Sequence, residues 1–290
     1  MTTMFDAEDL RKRIGEEKFT DSLDVLKPVE EFFLDTIKHF PFVHAHDCSA
    51  IEPFKFWTMN YTSCAGFFYM HPLQHEITQY QVREAIMDNE EDGIDYVLYF
   101  KDKLLSGSAN KYTERKPHKG KYSSLVVLTG ENKLEDEICL NKLRSIVEDQ
   151  GKLALIKPHP LTKQTVIDAL RKELLPSANI ATQNDDLYEI MQNSDMVYTN
   201  HSSESAIYAT ALGKPIKTVS TWKGRMRGTF LNINEVLFST PRPQMALNKV
   251  FSSRYSGLVH PEVHEDWQDR IVQYLEYTNG IRSMLGDEYK

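Results

Sequence analysis

Cysteine is scarce in this chain: 290 residues carry three, Cys48, Cys64 and Cys139. An odd number with no metal-like pairing excludes a disulfide framework and reads as the reduced thiols of a cytosolic protein. Long apolar runs are missing as well. No stretch approaches the roughly 18 consecutive apolar residues of a membrane-spanning helix. Residues 1–18 are charged throughout and lack the apolar centre of a secretory leader, so the expected location is the cytoplasm. Positive charge is not in excess either. The formal net charge is −8, which leaves no global cationic field to draw nucleic acid or anionic lipid. No segment repeats and none is of low complexity.

What is present is an ordinary globular composition, 41% hydrophobic and 26% charged, long enough for two domains. From about Lys121 the pattern is that of alternating strands and helices. Ser124–Thr129, Leu153–Ile156, Ile180–Thr182, Met196–Thr199 and Ile216–Val219 read as short buried strands. Between them, Lys133–Asp149, Thr165–Leu175, Asp186–Gln192 and Ser203–Leu212 carry apolar residues at helical spacing, the last closed by Gly213. Asp266–Met284 makes a long terminal helix with Trp267, Ile271, Tyr274, Leu275 and Thr278 on one face. Such alternation implies βαβ units on a parallel sheet.

The first 120 residues are less regular. Phe42–His44 and Tyr96–Phe100 read as strands, Val29–His39 and Gln79–Met87 as helices, and Ser106–Lys121 as a linker. The fold class is therefore α/β, with two Rossmann-like lobes. An N-terminal lobe spans residues 1–120, a nucleotide-binding domain 121–260, and a C-terminal helix 261–290 packs across the lobes.

Three loops on the strand-end edge of the second lobe have anion-binding chemistry, and that edge is where ligands bind in open α/β sheets. Lys157-Pro158-His159-Pro160 closes one strand and presents an imidazole from a stiff turn. His201-Ser202-Ser203 closes another, where tandem hydroxyls suit a phosphate as well as an ordinary helix cap. Trp222–Gly228 places Lys223, Arg225 and Arg227 in a loop with two glycines, able to close on an anion or simply to stay solvated.

The set Lys157-Pro158-His159-Pro160, Ser202-Ser203 and Gly213-Lys214-Pro215 resembles the C-terminal domain of GT-B glycosyltransferases. The nearest likeness is to bacterial sialyltransferases and capsule-polysaccharide glycosyltransferases that use CMP-activated sugars. The resemblance implies two lobes with the nucleotide-sugar cleft between them. It also implies that His159, Ser202 and Ser203 hold the nucleotide and its phosphate. The chemistry of the loops adds Lys157, Lys223 and Arg225 as supporting cations. The same enzymes carry an acidic-acidic-Gly motif whose carboxylate is the general base. Glu91-Asp92-Gly93 matches it, which gives the base role to Glu91 first and Asp92 second. The family's ribose-binding Glu position is Tyr208 here; Glu204, one turn earlier, is the substitute.

Without an Asp-x-Asp motif, transfer is expected to need no metal and no cofactor beyond a CMP- or UDP-linked nucleotide sugar. A glycan hydroxyl is the expected acceptor, and His44, His46 and Asp47 are placed on the acceptor side. Two alternatives stay open. Lys101, Lys103, Lys111, Arg115, Lys116, Lys119 and Lys121 could face DNA, as in a phage-type UDP-sugar enzyme acting on hydroxymethylated bases. His44-Ala45-His46-Asp47, with His71, His75, His159 and His201, could instead be the metal site of a hydrolase, although the eight βα units of such a barrel are missing.

Overall fold

The computed structural model describes residues 28, 31–32, 42–44, 57–61, 66–72, 74–88, 92–106, 116–130, 138–160, 162–174, 178–221 and 230–286, with backbone alone at 42–44, 57–61 and 173–174. The chain divides into two compact units: Met1–Thr113 with Asn248–Lys290, and Glu114–Leu247.

Among the described elements of the first unit are strands β1 (Phe42–His44), β2 (Trp57–Tyr61) and β3 (Phe68–Pro72), followed by helices α1 (His75–Met87) and α2 (Tyr96–Ser106); of the helix expected over Val29–His39 only residues 31 and 32 are described, and they are helical. β1 pairs parallel with β2, while β2 and β3 are antiparallel, so the described sheet is mixed where the sequence suggests a parallel one. The interior is aromatic. Phe67 meets the ring of Phe251 edge-on at 4.9 Å and stacks on that of Phe100 at 5.7 Å, arrangements that add a directional term to apolar burial.

Tyr96–Phe100 is not the strand its run of bulky residues suggests; it is the start of α2. A short aromatic and β-branched run does not by itself separate a buried strand from a helix. The deciding pattern lies further on. Tyr96, Phe100 and Leu104 are buried at a spacing of four, and Asp95 accepts the Leu98 N–H at 3.1 Å to start the helix.

The second unit contains β4 (Ser124–Val127), α3 (Leu140–Gln150), β5 (Ala154–Lys157), α4 (Gln164–Leu174), β6 (Asn179–Ile180), α5 (Leu187–Gln192), β7 (Val197–Thr199), α6 (Ser205–Ala211), β8 (Ile216–Thr218) and α7 (Leu231–Ser239). Helix α8 (Pro243–Ser252) follows. The first unit is then completed by β9 (Leu258–Val259), antiparallel to β3, and α9 (Trp267–Leu285). As expected, α9 buries Ile271, Tyr274, Leu275 and Thr278.

β4 and β5 are buried at every position, as strands covered on both faces must be, and their apolar residues run without alternation. α3 turns Leu143, Ile146 and Val147 onto Val126, Ala154 and Ile156, and Gly151 at φ +55 ends it. Burial of side chains of this size is worth about 1.5–3 kcal/mol each. The helix read from Lys133 is shorter than expected. Ile138 forms an antiparallel bridge with Ser220, and the Cys139 N–H bonds the Val219 carbonyl, so the helix starts only at Leu140.

All five strands of this sheet are parallel, in the order β6-β5-β4-β7-β8. The chain winds outward from β4 to β6, returns to the other side of β4 as β7, and winds outward again to β8. The direction therefore reverses between β4 and β7. At such a switch point the connections leave in opposite directions and a crevice opens at the strand C-termini.

Candidate functional site

β7 delivers the turn Asn200–Glu204 to that switch point, and the turn is densely bonded. Asn200 donates from Nδ2 to Ser202 Oγ at 2.6 Å, and the Asn200 carbonyl accepts the Ser203 N–H at 3.3 Å. Ser203 Oγ accepts the Ser205 N–H at 3.2 Å and also bonds the Ser205 hydroxyl, which is 2.9 Å from Thr199 Oγ1. The helix N-cap is Glu204, not one of the serines; Ser203 satisfies the first helical amide from one position earlier. α6 is accordingly shorter than the helix expected from Ser203.

The outer strand and a distant helix hold the same turn. Ser220 Oγ accepts the His201 N–H at 2.8 Å, and the hydroxyls of Thr218 and Ser220 lie 2.9 and 3.2 Å from His201 Nδ1. The imidazole packs against Phe238 with ring centroids 4.8 Å apart. Asn234, on α7, donates to the carbonyls of His201 and Ser203, both at 2.7 Å. His201 is buried, while Ser202, Ser203 and Glu204 are half-buried. Hydroxyls and amides therefore crowd one side of the switch point on a fixed backbone.

On the neighbouring strand end, Lys157 has a different role from the one its sequence position suggests. Its side chain is buried, and Nζ donates to the carbonyls of Pro158 at 2.9 Å and Gln183 at 2.8 Å. Burial lowers its pKa to about 8 against the opposing pull of Asp185 and Asp186. The ammonium ties β5 to the segment after β6 and spends two of its three protons there. His159 is half-buried beyond it, its carbonyl accepting the Thr162 N–H at 2.9 Å.

The loop carrying Lys223 and Arg225 lies outside the described residues, as do Glu91, His46 and Asp47. Of His44 the backbone is described, paired with Met59. Among the described residues no group of three or more His, Cys, Asp or Glu side chains could hold a metal ion. Cys139 is a free thiol. No described helix is long and apolar enough to cross a membrane.

Asp92, in the first unit, is an anchored carboxylate. Oδ1 accepts the Ile94 N–H at 3.1 Å, and Oδ2 accepts both the Tyr96 hydroxyl at 2.6 Å and Arg270 Nη2 at 3.0 Å. Behind Tyr96 stands His264. Its Nδ1 accepts the His260 N–H at 3.3 Å, so the ring proton sits on Nε2 and is donated to Tyr96 at 2.7 Å. Arg270, itself buried, also donates to Asp266 and the Ser252 carbonyl. Gly93, at φ +78, completes the turn. Three donors thus commit this carboxylate to holding the acidic-Gly turn in place.

Burial, then the adjacent Arg270 cation, pushes the His264 pKa down to about 3. Burial likewise lowers His71 to about 4. Both shifts favour the neutral imidazole in the folded state. In the unfolded chain each histidine takes up its proton near pH 6.5. Stability is therefore fully present above about pH 6.5 and is lost as pH falls toward 4, by about 1.4 kcal/mol per pH unit for each histidine. Urea midpoints between pH 7 and 4.5 should show this decline, and His264→Gln should flatten it; a wild-type midpoint independent of pH would contradict the assignment.

No protein-family model and no curated protein matches the chain. The solved structures similar to it include two transferases. Thermosulfurimonas dismutans KpsC, a beta Kdo 2,4 transferase, is 10% identical with a TM-score of 0.41, over 67% of this chain and 71% of that one. The spinosyn rhamnosyltransferase SpnG is 15% identical with a TM-score of 0.30, over 58% of this chain and 43% of that one.

Asn200, Asn234, Thr218 and Ser220 bond the switch-point turn, and the sequence motifs leave them out. Asn200 and Ser220 directly flank motif residues or a strand end and were within reach of a closer reading. Asn234 lies two elements further along the chain, and no local pattern links it to the turn.

Proposed function

We propose that the chain is a metal-independent GT-B glycosyltransferase that moves a sugar from a nucleotide-activated donor, a CMP-sugar by preference, to a hydroxyl of a glycan acceptor. The observation that carries this reading is the Asn200–Glu204 turn, rich in hydroxyls and amides, at the switch point of the doubly wound sheet. Breaking a glycosyl–phosphate bond leaves negative charge on the phosphate. Donors already fixed in place stabilise that charge without reorganising as it develops. Ser202 and Ser203 are assigned to the phosphate with His159, and Glu204 to the ribose hydroxyls.

The acceptor hydroxyl must lose its proton as it attacks the anomeric carbon, and a carboxylate within hydrogen-bond reach can take it. Glu91 is assigned that role, because Asp92 is bonded to Arg270 and Tyr96.

Thermal shift with CMP, UDP and GDP and their sugars, with and without EDTA, tests this reading. A ligand at about 100 times its dissociation constant stabilises the folded state by about 2.7 kcal/mol. Stabilisation by CMP that persists in EDTA and is lost in Ser202→Ala or His159→Ala is the expected result. A preference for UDP would move the assignment toward the DNA-modifying alternative. No nucleotide effect would overturn the reading.

A further inference from the structure

We propose that Tyr122 is a base-activated phenol, the nucleophile of a covalent phosphoryl-acceptor site built with His118 and Asp185 on the second unit. The site shares no residue with the switch-point turn and does not depend on the glycosyltransferase reading.

The three side chains form a line of hydrogen bonds. Tyr122 Oη is 2.6 Å from His118 Nε2, and His118 Nδ1 is 3.0 Å from Asp185 Oδ2. Asp185 is itself held by Thr182, whose N–H donates to Oδ2 at 2.8 Å and whose hydroxyl donates to Oδ1 at 2.7 Å. Burial alone would raise the Asp185 pKa, but the two Thr182 bonds and then His118 outweigh it and hold the carboxyl below its ordinary value. An ionised carboxylate only accepts, so the proton of the neutral imidazole sits on Nδ1. Nε2 is then a bare lone pair, and the phenol donates to it. A hydroxyl bonded to a base that a third group orients is the signature of an activated nucleophile.

Holding the chain in place does not account for this arrangement, because the backbone already pins residues 116–122 at both ends. The Lys116 N–H bonds the Asn184 carbonyl at 2.7 Å, and the Asp186 N–H bonds that of Lys116 at 2.9 Å. The Tyr122 N–H bonds the Asn193 carbonyl, and the Asp195 N–H bonds that of Tyr122, both at 3.0 Å. Gly120 clears the way for the phenol. A methyl group there would collide with the Tyr122 hydroxyl and lie 2.7 Å from the ring carbon that bears it. Solvent reaches the group as well. The His118 and Asp185 side chains are 18% and 12% exposed, and Tyr122 is half-buried.

Charge selects the reactant. Lys116, Lys119 and Lys121 are exposed on the same short segment. The two carboxylates that bond His118 are already engaged, Asp185 with the ring and Glu189 with the His118 N–H at 2.8 Å. Three cations beside a nucleophile favour an electrophile that carries negative charge, and a phosphoryl donor meets that demand. In the transfer a Tyr122 Oη–P bond forms as the bond from phosphorus to the leaving oxygen breaks. The phenolic proton passes to His118 Nε2, Asp185 steadies the imidazolium, and the proton then goes to the leaving oxygen.

Incubation of the full chain with 4-nitrophenyl phosphate tests the site. Release of 4-nitrophenolate should match the gain of one phosphate on the peptide that contains Tyr122. Tyr80 and Tyr255, more exposed at 47% and 38%, should gain none. His118→Ala should slow the transfer by about 100-fold or more, the usual contribution of a general base, and added imidazole should restore part of the rate. Gly120→Ala keeps all three side chains but displaces the phenol, and it serves as the second variant should His118→Ala not fold; it too should slow the transfer. The pH profile separates a base from a scaffold. An unassisted phenol reacts as phenolate and gains rate up to about pH 10, so wild type should level off at a lower pH than His118→Ala. An unmodified Tyr122 in wild type would overturn the proposal and leave the glycosyltransferase reading untouched. So would a rate unchanged in both variants, or a loss in His118→Ala that imidazole does not relieve.

Discussion

Arg270→Ala should cost about 3–5 kcal/mol of stability, the penalty for removing one partner of a buried ion pair. Arg270 is 4% exposed and bonds Asp92, Asp266 and the Ser252 carbonyl at once, so its loss takes a donor from two carboxylates and a carbonyl together. Asp92→Asn removes the charge yet keeps the shape and leaves Arg270 its bond to Asp266. Its cost should therefore be smaller, about 1–3 kcal/mol, the range for a disrupted buried polar contact. The two variants also separate the candidate bases. A bonded Asp92 predicts that Asp92→Asn, assayed well below its melting temperature, retains most transfer activity. Glu91→Gln should lose about 100- to 10,000-fold, the usual contribution of a general base. Denaturant melts beside initial rates for both variants decide the matter. A stable Asp92→Asn with no activity would return the base role to Asp92.

Gly257→Ala should be comparably damaging. Gly257 sits at φ +75, and a methyl group there would lie 2.0 Å from the Met70 carbonyl oxygen and 2.8 Å from the Tyr274 ring. The Met70 N–H bonds the Gly257 carbonyl at 2.8 Å, so β3 is held against this very position and the backbone cannot simply retreat. Overpacking of a tight core costs about 1–3 kcal/mol. The left-handed conformation adds about 1–2 kcal/mol for a residue with a Cβ. A loss of about 2–5 kcal/mol is a large share of the stability of an ordinary domain. Loss of soluble expression or a melting temperature lowered by many degrees is the expected result. Gly93→Ala, where a methyl group meets nothing within 4 Å, should cost far less. Equal melting temperatures for the two variants would contradict this packing.

The parallel sheet was legible in the sequence because burial on both faces leaves strands such as Leu125-Val126-Val127 no reason to alternate, and because Gly151 and Gly213 end helices where the chain reverses. The aromatic segment at Tyr96 misled for the complementary reason. Three bulky residues within five fit a strand as well as a helix, and only the spacing of Phe100 and Leu104 separates them. β2 and β3 were missed altogether. Their pairing joins Tyr61 to Phe68 across intervening residues with no two-residue hairpin signal.

The site shows the same division. Ser202 and Ser203 stood out because they follow a strand directly. Lys157 stood out on the same ground, yet its ammonium turns inward to two carbonyls, and a strand-end position alone does not say which way a long side chain points. Asn234 and the Asp92–Tyr96–His264–Arg270 cluster join residues far apart in the chain, and only the folded structure brings them together.

Turnover of the donor tests the central claim most directly. The protein should be incubated with CMP-, UDP- and GDP-sugars in the presence of glycan acceptors and of hydroxymethylated duplex DNA, with EDTA throughout. Released nucleotide and the mass of the acceptor would both be recorded. The account predicts CMP release matched by a glycan heavier by one sugar, abolished in Glu91→Gln. A protein that binds the nucleotide but transfers sugar from no donor to any acceptor would contradict it.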